Sequence, residues 1–595
     1  MMKHMLIQMK YRLPASLLMA SGMWMLTCSG NVASPDGTIR VDGTEEGLSV
    51  SILNDGKSQN VMTIKCGPVK KTLEKSSEHV EYNMPTGKRS HCTNSYTEAE
   101  YTTPGQTKIT MRVYDDGVAW HSPVDETVDV SASINHWTQN WTQSYEDFYP
   151  MNRELTEGSH IAFPALFEYD SSIFLLLTES AVGEDAAGAS MHSTHLPGNF
   201  IISPAGEGER GWTTAMIGSL ADVVESTLVT DNSEPSRLTD ISWIEPGVAS
   251  WVYWAYNHGS KDFNIVKRYI DMAVDMKLPY VLIDAEWDEM QGEHDITDAL
   301  RYATERGIKP MIWYNSSVGW IDGAPGPKFR LNDANLREKE FAWCAEHGVA
   351  GVKIDFFSGD NNRNIRYMHD LLESAARHRL LVNFHGVTLP RGWQRTYPNL
   401  MSMEGVYGAE WYNNAPVLTG KAAAHNATLP FTRNVVGPMD YTPCAFSDSQ
   451  HPHITSNAHE LALTVLFESG ITHLADRPES FQAQPDEVKA FLSELPAAWD
   501  NTYLISGYPG DHAVMARTKG NTIYVAGING RDEDHTVSID LSRIPDIGSY
   551  THMRLFTDTP SESGQASEWD ISDPESAPEK IRMNPRGGFI LKLDK

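Results

Sequence analysis

Positive charge and cysteine are both scarce in this chain of 595 residues. Its 48 Lys and Arg stand against 78 Asp and Glu, a formal net charge of −30. Such a balance argues against nucleic acid or an anionic membrane surface as partner and suits a neutral substrate or a cation. There are only 5 cysteines and no Cys-x-x-Cys spacing, which speaks against a zinc site. Beyond the N-terminal segment no apolar run is long enough to span a bilayer as a helix. Internal repeats and long low-complexity tracts are also lacking, and the Ser/Pro/Glu-rich stretch Asp558–Glu579 reads as a loop.

What is present begins with an export signal over residues 1–28. Lys3, His4, Lys10 and Arg12 precede an apolar stretch from Leu17 to Leu26, too short for a permanent membrane helix. Met25-Leu26-Thr27-Cys28-Ser29 is similar to a bacterial lipoprotein cleavage box, apart from Thr27. Lipidation at Cys28 and simple cleavage nearby stand as equal alternatives. The expected destination is the periplasm or a lipid anchor on the outer membrane. Export permits disulfides, and Cys66 and Cys92 fall in one expected β-domain, where they pair or stay free.

The length calls for two to four domains. Residues 29–245 alternate polar and apolar in short runs, as in Lys108–Val113 and Ser172–Leu177, which predicts an antiparallel β-sandwich. The texture changes near Trp243–Gly247. Over 246–500, apolar runs at Ser250–Trp254, Tyr280–Asp284, Met311–Tyr314, Val352–Phe356, Leu380–His385 and Leu400–Glu404 read as strands. Phe431–Val436 and Gly470–Ala475 read as two fainter ones. Helical patterns at Asn264–Met276, Asp298–Arg306, Leu336–His347 and Asn364–His378 lie between them. Eight strand–helix units of this kind predict a (β/α)8 TIM barrel. Residues 501–595 return to β and predict a small C-terminal β-sandwich.

Several barrel strands end in polar groups: Asp284, Tyr314 with Asn315, Asp355, His385 and Glu404, with Glu410 six residues beyond Glu404. A parallel barrel gathers such ends at one mouth. A pair of carboxylates there is what a glycosidic bond requires, one to attack or activate water and one to protonate the leaving oxygen. The competing reading is that each caps the helix that follows. Lys353 and Asp355, two apart, share one strand face, so the ammonium either helps keep Asp355 ionised or contacts a substrate hydroxyl. Asp284 is equally a substrate ligand or a cap. Trp287, Trp313 and Trp411 are sugar platforms or core. His385 reads as an orienting group. Asp440 and Asp476 are weaker candidates, and Arg433 reads as structural. Metal-assisted amide hydrolysis would call for several His at strand ends, and only His385 holds such a place.

The motifs Val281-Leu282-Ile283-Asp284, Trp313-Tyr314-Asn315-Ser316, Gly351-Val352-Lys353-Ile354-Asp355-Phe356, His385-Gly386, Arg395–Leu400, Glu404-Gly405-Val406 and Pro430–Pro443 occur in one order. In them the chain resembles the retaining branch of glycoside hydrolase family 97. The resemblance implies a β-super-sandwich, a catalytic barrel and a C-terminal β-domain, with Ca2+ in the active site. Inverting members carry Glu directly after the His ending strand five, where this chain has Gly386. Their second base follows strand three, the Asn315-Ser316 region here. Retaining members place an Asp nucleophile at the end of strand four, the position of Asp355.

By the same resemblance Glu410 is the acid/base, Glu404, Glu410 and Glu179 hold Ca2+, and Asp284, Trp313, Asn315, Lys353 and His385 line the sugar site. The implied activity is exo-acting release of terminal α-D-galactose from an oligosaccharide or glycoside. β-L-Arabinopyranoside and α-glucoside are the alternatives, and a non-catalytic carbohydrate-binding surface lipoprotein is the rival of another class.

Overall fold

The computed structural model describes residues 30–595 apart from 55, 171, 255–258, 291, 546–549 and 561–567. The expected export signal and Cys28 lie outside the described residues.

In the N-terminal part, sixteen strands join in one hydrogen-bonded sheet, every pair in it antiparallel. Strands such as Lys108–Tyr114 alternate between buried and half-exposed positions, as expected for a sheet with one covered face. The strand Ile173–Ser180 is buried along its whole length, and its side chains reach core on both faces. Cys66 and Cys92 are both free thiols, their Sγ atoms donating to the carbonyls of Gly67 and Arg89.

Seven parallel strands form the barrel: β1 (Gly247–Trp251), β2 (Tyr280–Ile283), β3 (Lys309–Asn315), β4 (Gly351–Asp355), β5 (Leu381–Phe384), β6 (Leu400–Met403) and β7 (Ile471–Leu474). They pair in the order β6-β5-β4-β3-β2-β1-β7. The first four crossover helices are α1 (Phe263–Asp275), α2 (Ile296–Thr304), α3 (Ala334–Glu346) and α4 (Asn362–Arg377). Each starts at an Asp or Asn whose side chain accepts from a first-turn N–H: Asp262, Asp295, Asp333 and Asn361.

The expected strand Phe431–Val436 is instead two 3-10 turns, Leu429–Phe431 and Arg433–Val436. Arg433 explains the change. Its buried guanidinium donates to the carbonyls of Gly405 (3.0 Å), Gly437 (3.1 Å), Met403 (3.0 Å), Glu404 (3.0 Å) and Pro438 (2.9 Å). A side chain thus does much of the work of a strand's hydrogen-bond ladder, satisfying buried carbonyls on both sides of the seam. Main-chain bonds from Asp440 N to Met403 O (3.1 Å) and from Gly470 N to Met401 O (2.9 Å) complete the seam between β6 and β7.

The C-terminal part packs a six-stranded antiparallel sheet and a two-stranded one around a second core that includes Val514, Val525, Phe589 and Leu591. Helix α5 (Asn457–Leu466), buried at every position after Asn457, lies between this domain and the barrel. The N-terminal domain docks on the barrel's mouth. Arg391, in the loop after β5, donates to Glu179 (2.7 Å) of that domain and to Asp360 (2.6 Å) after β4.

Candidate active site

The alternation of β4 turns Lys353 and Asp355 to the barrel interior. At the mouth, Asp355 Oδ1 accepts from Phe356 N (2.6 Å) and Oδ2 from Trp313 Nε1 (3.2 Å). Burial raises the pKa of this carboxyl, and the positive charges of His385 and Lys353 act against that rise. Lys353 itself is ion-paired with Asp284 at 3.1 Å. Burial favours its neutral amine, but Asp284, Glu410 and Asp355 outweigh burial and hold it as an ammonium.

Asp284 also accepts from Trp251 Nε1 (2.8 Å) and from Ala285 N (2.8 Å). Burial opposes its ionisation, and Lys353 with these donors overcomes burial to keep its pKa low. Tyr253, stacked on Trp251 with ring centroids 5.3 Å apart, faces the charges of Glu410, Asp284, Lys353 and Asp355.

Opposite this group stands a second set. His385 bridges Asp440 (Nε2 to Oδ2, 2.7 Å) and Glu404 (Nδ1 to Oε1, 3.3 Å), and its Nδ1 lies 3.8 Å from Glu410 Oε2. Asp440 is clamped further by Asn383 (2.6 Å) and His473 (2.9 Å). Burial disfavours the imidazolium, and Glu404 and Asp440 outweigh burial to raise the His385 pKa well above its ordinary value. Glu404 Oε2 accepts from Gly386 N at 2.8 Å.

Glu410 differs from its neighbours. Burial, with Glu404 and Asp355 close by, pushes its carboxyl up to about 8 against the pull of Lys353 and His385. Its Oε2 is buried without a hydrogen-bond partner. One buried carboxylate is therefore held by two donors, and burial and charge bias a second buried carboxyl, whose Oε2 lacks a hydrogen-bond partner, toward its protonated form. That pairing of states is what acid-assisted displacement at an acetal carbon requires.

Three family models match the chain in order: the glycosyl-hydrolase 97 N-terminal domain over residues 32–235, glycoside hydrolase 97 over 243–406, and the glycosyl-hydrolase 97 C-terminal, oligomerisation domain over 498–594. A relative in Streptomyces bingchenggensis, a probable retaining alpha-galactosidase, is 36% identical over 451 residues, 70% of this chain and 67% of that one.

The chain belongs to glycoside hydrolase family 97.

A second relative, the retaining alpha-galactosidase of Bacteroides thetaiotaomicron, is 31% identical over 60% of this chain and 56% of its own length. Among solved structures, a beta-arabinopyranosidase superposes with a TM-score of 0.83 at 25% identity, covering 94% of this chain and 99% of that one.

Within this family 97 hydrolase the expected site residues divide. Asp355, Lys353, Asp284, Trp313, His385, Glu404 and Glu410 form one connected constellation, with Asp440 anchoring His385. Glu179 stands apart from it. Arg391 Nε and Ala189 N hold its two oxygens at 2.7 and 2.8 Å, in a buried ion triad with Asp360 that docks the N-terminal domain. The N-terminal carboxylate that does reach the constellation is Glu146. Trp411 Nε1 donates to it at 2.7 Å, and burial followed by the charges of Glu404 and Glu410 pushes its pKa well up. Glu146 lies in an irregular loop, and nothing in its local sequence marks it.

Asn315 does not face the sugar site. Its side chain donates to the carbonyls of Trp320 and Pro325 (both 3.3 Å) and accepts from Ser317 N (2.7 Å), bracing the loop after β3. Tyr314 points outward, its hydroxyl donating to Glu340 of α3. Trp287 is core, stacked on Trp343 and donating to Trp313 O at 2.6 Å. Trp313 is buried against Asp355 rather than offered as an exposed platform. Trp411 stacks on Tyr407 and is tied to Glu146. Asp476 accepts from Ser447, Arg477 N and Ser480 and organises the turn after β7.

The donor set fits a hard divalent cation. One ligand atom each from His385, Glu404 and Glu410 lies within 4.8 Å of the others. Glu146 adds a carboxylate beside them. The orphaned Glu410 Oε2 and the mutual repulsion of these carboxylates are what a cation taking oxygen ligands would relieve.

Proposed function

We propose that the protein is a calcium-dependent, exo-acting retaining glycosidase that releases terminal α-D-galactose. The observation that carries this reading is the placement of Asp355 at the end of β4 with Gly386 packed against it. A β-carbon at 386 would stand 3.0 Å from Asp355 Oδ1 and 2.8 Å from Phe356 Cα. A carboxylate side chain following His385, as a water-activating base needs, has no room beside this Asp355.

In the proposed reaction Asp355 attacks the anomeric carbon as the Glu410 carboxyl gives its proton to the departing glycosidic oxygen. A glycosyl ester to Asp355 and an ionised Glu410 result. Esterification removes one neighbouring negative charge, which lowers the pKa of Glu410 and suits it to act as base. Glu410 then takes a proton from water as that water attacks the anomeric carbon. Asp355 leaves as carboxylate and the sugar departs with its original configuration. Trp313 and Phe356 N hold the nucleophile throughout, and Lys353 with Asp284 offers hydroxyl contacts on one wall.

Glu404, Glu410 and Glu146 are the residues that would hold Ca2+, with His385 alongside. When bound, the ion supplies positive charge that lets these carboxylates stand together and draws on a sugar hydroxyl. The names of the two relatives favour galactose. The arabinopyranosidase neighbour keeps β-L-arabinopyranoside as a second substrate, identical in ring stereochemistry and lacking the hydroxymethyl group. The N-terminal pattern supports export to the periplasm or a lipid anchor.

Proton NMR of the first anomer released from p-nitrophenyl α-D-galactopyranoside tests the reading. Early α-galactose supports it; early β-galactose overturns the retaining assignment. Turnover only of the β-L-arabinopyranoside replaces the sugar and leaves the roles of Asp355 and Glu410 in place.

A further inference from the structure

The described part of the chain exposes very few of its large aromatic side chains. The only Trp or Phe that rank as exposed are Trp320 and Phe329, at 52% and 58%, and both lie in the loop after β3. Scattered exposed apolar residues carry little meaning, but two large aromatics at one barrel mouth do.

Trp320 is exposed and yet held. Its indole Nε1 donates to Asp322 O at 2.8 Å. Its ring meets Phe356 edge-on, with centroids 4.9 Å apart. Phe356 follows the nucleophile position directly and meets Trp313 in turn at 5.7 Å, and Trp313 donates to Asp355. An aromatic wall thus runs from Asp355 out to solvent and ends in the Trp320 indole.

The loop is braced to keep it there. Gly319 packs its Cα on the Phe356 peptide so closely that a β-carbon would lie 2.3 Å from Phe356 O. Ser316 N donates to Asp355 O and Ser316 Oγ to Phe356 O, both at 2.8 Å. Asn315, buried, holds the Trp320 carbonyl from below. A rigid, half-exposed indole costs little ordering entropy when a ring stacks on it.

Resting on the glycosidase reading above, we propose that Trp320 is the platform for the leaving-group sugar, the residue on the far side of the scissile bond. The terminal sugar occupies the buried constellation around Asp355. The next ring of an oligosaccharide leaves that constellation along the aromatic wall and places its apolar C–H face on the indole. Asn315 is then a positioning residue that acts through Trp320. The enzyme is tuned to oligosaccharides rather than to simple alkyl glycosides.

Two substrates with the same terminal sugar separate this role from others. A glycosyl fluoride has no leaving-group ring, whereas the matching disaccharide has one. With whichever of α-D-galactosyl, β-L-arabinopyranosyl or α-D-glucosyl fluoride the wild type hydrolyses, Trp320→Ala should keep kcat/KM within about twofold. On the matching disaccharide kcat/KM should fall roughly tenfold, in line with the loss of one ring-stacking contact. Trp320→Phe should restore most of it. Equal losses on both substrates, or no loss on the disaccharide, would overturn the proposal. So would a change in oligomeric mass of W320A by light scattering, which would make the patch a contact between copies. Turnover by the wild type of none of these three fluorides would instead bring down the glycosidase reading, and the platform with it.

Discussion

Gly386 and Asp355 lie side by side just past the paired strands β5 and β4, where a β-carbon on residue 386 would stand 3.0 Å from Asp355 Oδ1, and residue 386 has a left-handed backbone, φ +57°. Any side chain there meets both backbone strain and the Asp355 carboxylate. Gly386→Ala should keep the fold and lower kcat/KM by about a hundredfold, the scale of an ångström-sized displacement of a reacting group. Gly386→Glu should lose turnover without releasing the inverted anomer. Activity of G386A within twofold of wild type would show that Asp355 does not depend on this contact.

Asp355→Ala should reduce turnover by roughly a thousandfold or more, because the covalent step is lost. Azide added to this variant should restore release of nitrophenol from the p-nitrophenyl α-glycoside and yield the β-glycosyl azide. An α-azide, or residual activity near wild type, would remove Asp355 from the nucleophile's role.

For Glu410 the leaving group is the diagnostic. Glu410→Gln should cost a disaccharide about 10²–10⁴-fold in kcat/KM, the usual range for general acid catalysis. A glycosyl fluoride, whose leaving group takes no proton, should lose much less in the first step. Equal losses on both would assign Glu410 to binding or metal retention alone.

Chelation should lower activity, and added Ca2+ should restore it together with a rise in Tm, since a ligand bound only by the native state stabilises it. Glu146→Gln should raise the Ca2+ concentration for half-restoration. Glu179→Gln should leave that concentration unchanged and lower Tm, because its loss weakens a buried ion triad with Arg391 and Asp360. A calcium shift in E179Q with none in E146Q would reverse the two assignments.

Arg433 should prove structural. Arg433→Met removes a donor from five buried carbonyls along the β6–β7 seam, of which Met403 O keeps Asp440 N and Gly437 O keeps Asn434 Nδ2, at a cost of about 3 kcal/mol or more. Urea unfolding measures it, and a loss under about 1 kcal/mol would mean that water or neighbouring amides take over those carbonyls.

The periodicity of the chain was enough to read an antiparallel N-terminal part, a parallel barrel and a C-terminal β-domain. Strand and helix periods are local properties, written in where apolar residues recur. The same locality made Asp355, His385 and Glu404 legible, since a polar residue closing an apolar run lands at the barrel's mouth in any such fold. Phe431–Val436 was misread because its apolar residues suit a strand, whereas the hydrogen bonds that replace one come from the Arg433 side chain, to residues about thirty positions earlier as well as to Gly437 and Pro438 just beyond it.

Tertiary structure alone separates Glu179 from Glu146. Both are single carboxylates in an N-terminal domain, and only the docking of that domain decides which meets Arg391 and which meets Glu404 and Glu410. It also turned Asn315 from the sugar toward the loop it braces and left Trp320 in solvent while Trp313 and Trp287 were buried. Composition and pattern set which groups the chain carries and on which strand ends they fall. Which charges share a low-dielectric pocket, and which of them stays protonated there, depends on through-space distances that no sequence spacing encodes.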